Sequence, residues 1–492
     1  CDRRAAEGSI RPCARRRAGA AQSALDKRAV FAPAPAAANR RQHQGYHRMN
    51  LLLIAIDTLR ADHLGCYGYH RETSPALDAF ASQGVLFEKL YAPAVPTHPS
   101  YTTTYTGQHS ITHGIVTHCG RASLSPQAPF LPELLLQAGY TTCAVDNLSS
   151  MRPWFGRGYE FYIDPSGRHP HRHAVTCEEI NARALPWLRA HAREQFFLFV
   201  HYWDPHTPYL PPGRYRDLFY DGDPTDPARD SLASMRKQLF WEWWSGDCWF
   251  GQLPQPLRDA EYVVALYDGE IRYADDGVGE LLDALADTGV ADDTLVIVFS
   301  DHGENMYHHG VFFDHHGLYE GNVHVPLAAR WPARLAGGRR VPHLVQHVDL
   351  APTLLDACGV EIPATMEGRS LLPLMTGDAD APLYDRLVTQ ECTWQAKWAL
   401  RTDEYKLILS RERGRDLHDM PPRELYHLPT DPCELHNLAD ERPGVTAQME
   451  GELEAWIARM MEKNGLDRDP LVAQGTTLGR DWREWIERKG YW

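Results

Sequence analysis

Carboxylates and imidazoles in this sequence gather at the ends of apolar runs, where a fold can bring distant residues together. Asp57 closes the run Asn50–Asp57 (NLLLIAID), His201 lies near the end of Phe196–Tyr202 (FFLFVHY) with Asp204 and His206 just beyond it, and Asp301-His302 follow Thr294–Ser300 (TLVIVFS). Singly, an Asp in such a place reads as a helix cap or turn residue, and a His as a structural hydrogen-bonder. Three strand ends meeting at one crevice shift that balance, because buried carboxylates need a cation or a partner. A mixed Asp/Asp/His set suits one Mn²⁺ or Zn²⁺ better than the all-oxygen cage that Ca²⁺ takes. Pro96-Thr97-His98-Pro99-Ser100 adds a hydroxyl at the start of a Thr-rich stretch. Thr97 there is either a helix N-cap or a group at a helix N-terminus, where the positive dipole end and open backbone N–H groups bind an anionic ester.

The elements that must position these groups follow from the hydrophobic pattern. Asn50–Asp57 is a continuous apolar run, the look of a parallel strand buried on both faces. Ser74-Pro75 opens a helix through Ala81, with Ser74 as N-cap and Pro75 at the first helical position. Val85–Ala92, Tyr140–Val145, Phe196–Tyr202 and Thr294–Ser300 read as further strands, and Leu131–Ala138 as a helix stopped by Gly139. Ala260–Thr288 carries apolar residues at helical spacing, among them Val264, Ile271, Val278, Leu281 and Leu285, and reads as one long amphipathic helix. Strands alternating with helices predict a doubly wound, mostly parallel α/β sheet with its site at the carboxyl ends of the strands.

The composition bounds the rest. With 492 residues, 43% hydrophobic and 23% charged, the chain is long enough for one large domain with a smaller one. Residues 1–48 hold ten Arg, one Lys and three acids, a local +8 that leaves −23 for residues 49–492. This Ala-, Arg- and Pro-rich stretch reads as a disordered arm. Met49, directly before the first strand, makes an upstream translation a reading of residues 1–48. The acidic remainder is a poor partner for nucleic acid or an anionic membrane. No apolar run approaches the roughly 18 residues of a membrane span. Ten Cys scattered without C-x-x-C pairs read as reduced thiols in a cytoplasmic protein. The pattern divides the chain into a catalytic domain at 49–384, carrying a Pro-, Gly- and Trp-rich insertion at 211–256, and an α+β C-terminal subdomain and tail at 385–492. Short strands at Leu387–Glu391, Trp398–Arg401 and Tyr405–Leu409 and a helix from about Val445 to Lys463 make up that subdomain.

From Met49 to about Ala439 the chain resembles the sulfatase family of the alkaline phosphatase superfamily. The matching stretches, in family order, are NLLLIAIDTLRADHLGCYGY at Asn50–Tyr69, PTHPS with its later TG at Pro96–Gly107, GYTT at Gly139–Thr142, FLFVHYWDPHTPY at Phe197–Tyr209, IVFSDHGE at Ile297–Glu304, and HGLYEGNVHVPL at His316–Leu327. ALRTDEYKLILS at Ala399–Ser410 and ELYHLPTDPCELHNLA at Glu424–Ala439 resemble the family's C-terminal subdomain. The signature normally carries, before x-P-S, a Cys or Ser that is oxidised to formylglycine; here that position is Thr97, which cannot form the aldehyde. The Arg of the signature is Tyr101, the Lys of the second signature falls at Asp146-Asn147, and the second Asp after the first strand is Thr58.

By this match Asp57, Asp301 and His302 are metal ligands, with the Thr97 hydroxyl completing the set, as in the mononuclear site of phosphonate monoester hydrolases. Thr97 is then the nucleophile, with Tyr101 and Asn147 as further site positions. His206 and His316 face the substrate oxygens, and His316 protonates the leaving alcohol. His201, Asp204, His309 and His315 stand close enough in sequence to ligate or to support the ligands. The resemblance implies a metal-dependent hydrolase of phosphodiesters, phosphonate monoesters or sulfate esters, acting on a small-molecule ester and leaving a homo-oligomer open. An arylsulfatase-type enzyme, a phospho-group transferase and a binding protein that kept only the fold are the competing readings.

Overall fold

The computed structural model describes residues 49–168, 175–237, 241, 249–411 and 420–478. The arm at residues 1–48 and residues 242–248 of the Trp-rich segment therefore lie outside the described residues. The apolar runs become the middle of an eight-stranded sheet. In chain order its strands, together with one that joins a second sheet, are β1 (Asn50–Ile56), β2 (Val85–Tyr91), β3 (Ala94–Val95), β4 (Thr141–Val145), β5 (Phe161–Ile163), β6 (Phe196–Tyr202), β7 (Thr294–Phe299), β8 (His324–Arg330) and β9 (Arg339–Gln346). The order across the large sheet is β5-β4-β6-β1-β7-β8-β2-β9. Every pairing is parallel except those of β8, which runs against β7 and β2. Strands β1, β6 and β7 are buried at every residue, which is why they read as unbroken apolar runs.

The helices that position the site are α1 (Pro75–Ser82), α2 (Thr97–Thr106), α3 (Leu131–Gln137), α4 (Cys177–His191), α5 (Ala260–Asp287) and α6 (Leu350–Ala357). Helices α1 and α4 pack on α5, while α3 and α6 pack on α2. Two helical groups around one mostly parallel sheet are the doubly wound arrangement that the alternation predicts. Helix α4 went unread because Pro186 interrupts its pattern, although Thr176 and Glu179 form a capping box at its start. Strands β5, β8 and β9 also escaped the sequence reading. β5 is three residues long with Phe161 exposed, and β9 carries polar residues with Pro342 in a mixed burial pattern.

A second sheet has the order β13-β12-β11-β10-β3, with β10 (Arg386–Glu391), β11 (Lys397–Thr402), β12 (Tyr405–Ser410) and β13 (Arg423–His427). Helix α7 (Pro443–Lys463) closes its core with Met449, Leu453 and Ile457 against Leu407, Leu409 and Leu425. The C-terminal strands are thus joined by β3, whose Ala94 and Val95 pair in parallel with Gln390 and Glu391. That pairing ties the second sheet to the segment that carries Thr97. Among the described residues no helix is long and apolar enough to cross a membrane. Of the Trp-rich insertion, Trp249 and Phe250 are buried and their rings meet Phe313, with Trp249 also against Tyr209, so this end packs into the body.

Candidate active site and metal centre

Strand register brings the distant carboxylates together. Ala55 on β1 pairs with Phe299 on β7 and with His201 on β6, so Asp57 and Asp301, each two residues further on, leave neighbouring strands at one level. Val145 on β4 pairs with Val200, which sets Asp146 beside His201. Gly303 then turns the chain where its backbone N–H donates to Asn322 O at 2.7 Å; a Cβ there would lie 2.1 Å from Gly321 O, so only glycine allows this approach.

The donor atoms of Asp57, Asp301 and His302 lie within 4.8 Å of one another, and all three residues are fully buried. Asp57 Oδ1 and Asp301 Oδ2 accept no hydrogen bond among the described residues. Two buried carboxylate oxygens without donors, 3.9 Å and 3.4 Å from His302 Nε2, are what a cation would satisfy. Burial, with Asp57 beside it, pushes the Asp301 carboxyl well above the usual carboxylate range. Burial lowers His302 to about 4, so the ring is neutral and able to ligate. The residues therefore fit a divalent ion.

His201 supports this set from behind. Its Nε2 lies 3.2 Å from Asp57 Oδ2 and its Nδ1 2.8 Å from Asp146 Oδ1. Burial alone would lower this imidazole, but the hydrogen bonds to Asp146 and Asp57 outweigh it and raise it to about 10. Asp146 is a residue that the sequence reading missed as a site member, although it follows β4 at the same sheet end as Asp57.

Thr97 does not act as the N-cap. Pro96 holds the cap position, no side chain caps the helix, and Thr97 is its first residue. With the capping bond absent, its hydroxyl is turned to the site, where Oγ1 lies 3.3 Å from His302 Nε2. Ser100, one turn on, donates to Asp301 O at 2.7 Å and lies 3.1 Å from His347 Nδ1, which pins α2 to the Asp301 loop. Gly107, at φ 61°, ends the helix in the left-handed conformation.

The histidines divide. His302 stacks on His315 with ring centroids 4.9 Å apart, and His315 meets His206 at the same separation. His206 is half-buried and fixed by its Nδ1 donating to Thr207 O at 2.7 Å. His316 is buried, 3.2 Å from Asp314 Oδ1, with its ring 5.2 Å from Trp394. Burial alone would raise Asp314, yet the neighbouring His316 and His315 hold it at about 2. Trp394 comes from the loop between β10 and β11, whose N–H groups at Thr393, Trp394 and Gln395 donate to Glu391. No local signal in the sequence marks that long-range contact.

Other expected members stand elsewhere. Asp204 accepts from Cys177 N at 3.0 Å and holds the start of α4, so it serves the fold and not the metal. His309 stacks on Tyr319 at 3.7 Å with Nε2 3.3 Å from Cys433 O, away from the carboxylates. Tyr101 is fully buried among Phe155, Phe199 and Phe299, with its ring centroid 5.0 Å from that of His201. It packs the supporting imidazole. Asn147 is buried and accepts from Trp203 Nε1 at 3.1 Å, and Trp203 lies 4.7 Å from the His201 ring.

A family model described as Sulfatase matches residues 49–360, and one described as N-sulphoglucosamine sulphohydrolase, C-terminal, matches residues 308–462. Among curated proteins, the chain is 23% identical over 477 residues to an N-acetylglucosamine-6-O-sulfatase of Bacteroides thetaiotaomicron, covering 81% of this chain and 84% of that one. Among solved structures, a phosphonate monoester hydrolase of Agrobacterium radiobacter superposes with a TM-score of 0.67 at 22% identity, covering 84% of this chain and 96% of the other. A second phosphonate monoester hydrolase, from Silicibacter pomeroyi, gives 0.66 at 21%, covering 85% and 96%. At these identities the structural matches speak for the shared fold.

Proposed function

This chain belongs to the sulfatase family, a family of hydrolases, and we propose that it cleaves phosphodiesters or phosphonate monoesters with Thr97 as nucleophile. The observation that carries the reading is the Thr97 hydroxyl, uncapped at the start of α2, 3.3 Å from His302 beside two unpaired carboxylate oxygens. Asp57, Asp301, His302 and the Thr97 hydroxyl would hold a divalent ion, with Mn²⁺ or Zn²⁺ favoured by the donor set. When bound, such an ion lowers the pKa of a hydroxyl and neutralises charge on the ester oxygens.

The chain's own residues supply the remaining steps. Open N–H groups in the first turn of α2 orient an anionic ester over Thr97. Thr97 Oγ, its proton given up to solvent, attacks phosphorus and the bond to the leaving oxygen breaks, with His316 giving that oxygen its proton. His206 hydrogen-bonds the equatorial oxygens. Water then attacks phosphorus, returns a proton to His316 and frees the threonine oxygen. A formylglycine can expel its ester by C–O cleavage; Thr97 has no such route, so a sulfo-threonine would be slow to release.

The lost cations point the same way. Tyr101 and Asn147 replace an Arg and a Lys of the family signatures, so the three terminal oxygens of a phosphate or sulfate monoester lose two cationic contacts. A diester or phosphonate monoester, with two such oxygens, needs fewer. Nitrophenyl esters of sulfate, phosphate, a phosphodiester and a phosphonate, compared under one condition, test this. The diester and phosphonate are expected to give the higher kcat/KM, and a faster aryl sulfate would overturn the reading.

The general-acid role of His316 has its own test. His316→Ala is expected to slow alkyl esters by roughly a hundredfold or more beyond its effect on nitrophenyl esters, whose leaving group needs no proton. His206→Ala should slow both alike. Equal losses in the His316 variant would reject the assignment.

A further inference from the structure

The two faces of the second sheet differ in kind. Trp398, Leu400, Leu407 and Leu409 turn to the core under α7. The residues alternating with them face the segment that follows His316, and there Ala399, Ile408 and Tyr426 share the face with Lys397, Lys406 and Glu424. These three charged residues are at most 1% exposed.

Their bonds close on two neighbouring residues, Tyr319 and Glu320. Lys397 Nζ donates to Glu424 Oε1 at 2.9 Å, and Glu424 Oε2 accepts from Tyr319 Oη and Tyr426 Oη at 2.8 Å each. Lys406 Nζ donates to Glu320 Oε1 at 2.9 Å and lies 2.6 Å from Glu434 Oε1, while Glu434 Oε2 accepts from Glu320 N at 2.6 Å. Tyr319 and Glu320 stand three and four residues after His316, and the turn between them is stitched. Asn322 Nδ2 donates to His315 O at 3.0 Å and to Gly317 O at 2.7 Å, and Asn305 Nδ2 donates to His316 O at 2.6 Å. A hold on Tyr319 and Glu320 is therefore a hold on the backbone of His316. The segment of Thr97 hangs from the same sheet, because β3 pairs with β10 and Pro96-Thr97 follow directly.

Stability alone does not call for charge on this face. A buried ion pair recovers its desolvation cost only with good geometry, and well-packed apolar side chains in its place are often as stable. Charge-assisted hydrogen bonds add direction and a fixed length, where an apolar contact would let the turn settle at several offsets. We propose that Lys406 and Glu424 are positioning residues for His316, holding the His315–Gly317 turn at a set distance from Thr97 through Tyr319, Glu320 and Glu434. This role rests on those proposed for Thr97 as nucleophile and His316 as acid, and neither Lys406 nor Glu424 touches the substrate in it.

Two full-length variants test it. Tyr319→Phe cuts the tie to Glu424, which keeps Lys397 and Tyr426. Lys406→Met with Glu434→Gln removes a cation and a carboxylate together, and Glu320 keeps Tyr91 Oη at 2.8 Å and Arg401 Nη2 at 3.5 Å. In both, amide hydrogen exchange over residues 315–320 is expected to be about tenfold faster while that of α2 stays as in the wild type. The ratio of nitrophenyl-ester to alkyl-ester kcat/KM should widen by about tenfold, in the direction expected of His316→Ala. A packing defect alone would slow both esters alike. Unchanged exchange in both variants would overturn the positioning role, and so would a loosened turn with the wild-type ester ratio where His316→Ala changes that ratio. A His316→Ala protein that keeps the wild-type ratio would instead remove the acid assignment, and exchange over 315–320 then decides the hold on the turn by itself.

Discussion

Turnover is expected to fall by about three to five powers of ten when Thr97 is replaced by alanine. The side chain is 2% exposed, makes no capping bond and meets His302 at 3.3 Å, so removing it deletes the hydroxyl that meets this histidine of the carboxylate cluster. Binding through the helix N-terminus and the histidines would survive, leaving KM far less changed than kcat. Thr97→Ser keeps the hydroxyl and loses the methyl that restricts χ1, so it should retain part of the activity. Wild-type enzyme mixed with a nitrophenyl diester should also trap, on a peptide containing Thr97, the phosphoryl group still esterified to its second alcohol, and the alanine variant should not. Near-normal turnover in Thr97→Ala would defeat the nucleophile assignment outright.

The carboxylate cluster was legible in the sequence because parallel strands buried on both faces leave unmistakable apolar runs and end on one edge. Asp57, Asp301 and His302 needed no more than that rule and the register, in which β1 and β7 are neighbours. The same rule would have reached Asp146, which follows β4, had its neighbour Asn147 not drawn the attention as a replaced lysine. Thr97 was ambiguous, since a hydroxyl before a helix caps it as often as it does chemistry; the chain gives Pro96 the cap, which removes the first role and leaves the second to the Thr97→Ala test. Helix α4 was hidden by Pro186, and β3 by being two residues long. Trp394 and Glu391 could not be read at all. Their place beside His316 depends on β10 pairing with β3, a contact nearly 300 residues apart in the chain with no local pattern.

The Asp301 carboxyl supports a prediction in which stability and activity part company. Burial, with Asp57 adjacent, raises its pKa well above the unfolded value in the metal-free protein. The folded state therefore binds more protons than the unfolded one between those two pKa values, and its stability falls as pH rises through that window. Above it, the metal-free fold carries the full cost of two crowded carboxylates. Asp301→Asn removes one charge with almost no change of shape: Oδ1 can still accept from Thr58 N, and the new amide can donate toward Asp57 Oδ1, which accepts no bond now. The metal-free variant is expected to melt higher than metal-free wild type at pH 7, with the gap closing as pH is lowered. Added Mn²⁺ should reverse the order, since a ligand at a hundred times its Kd stabilises the binding-competent wild type by about 2.7 kcal/mol and the variant hardly at all. Activity should fall by about three powers of ten, because the charge stabilisation a divalent ion supplies is worth several kcal/mol. Melting curves with and without chelation, read beside elemental analysis and turnover of the same samples, give the answer. An Asp301→Asn protein that melts lower than metal-free wild type, or one that still binds Mn²⁺ and turns over at the wild-type rate, would show that the unpaired oxygens are not there for a cation.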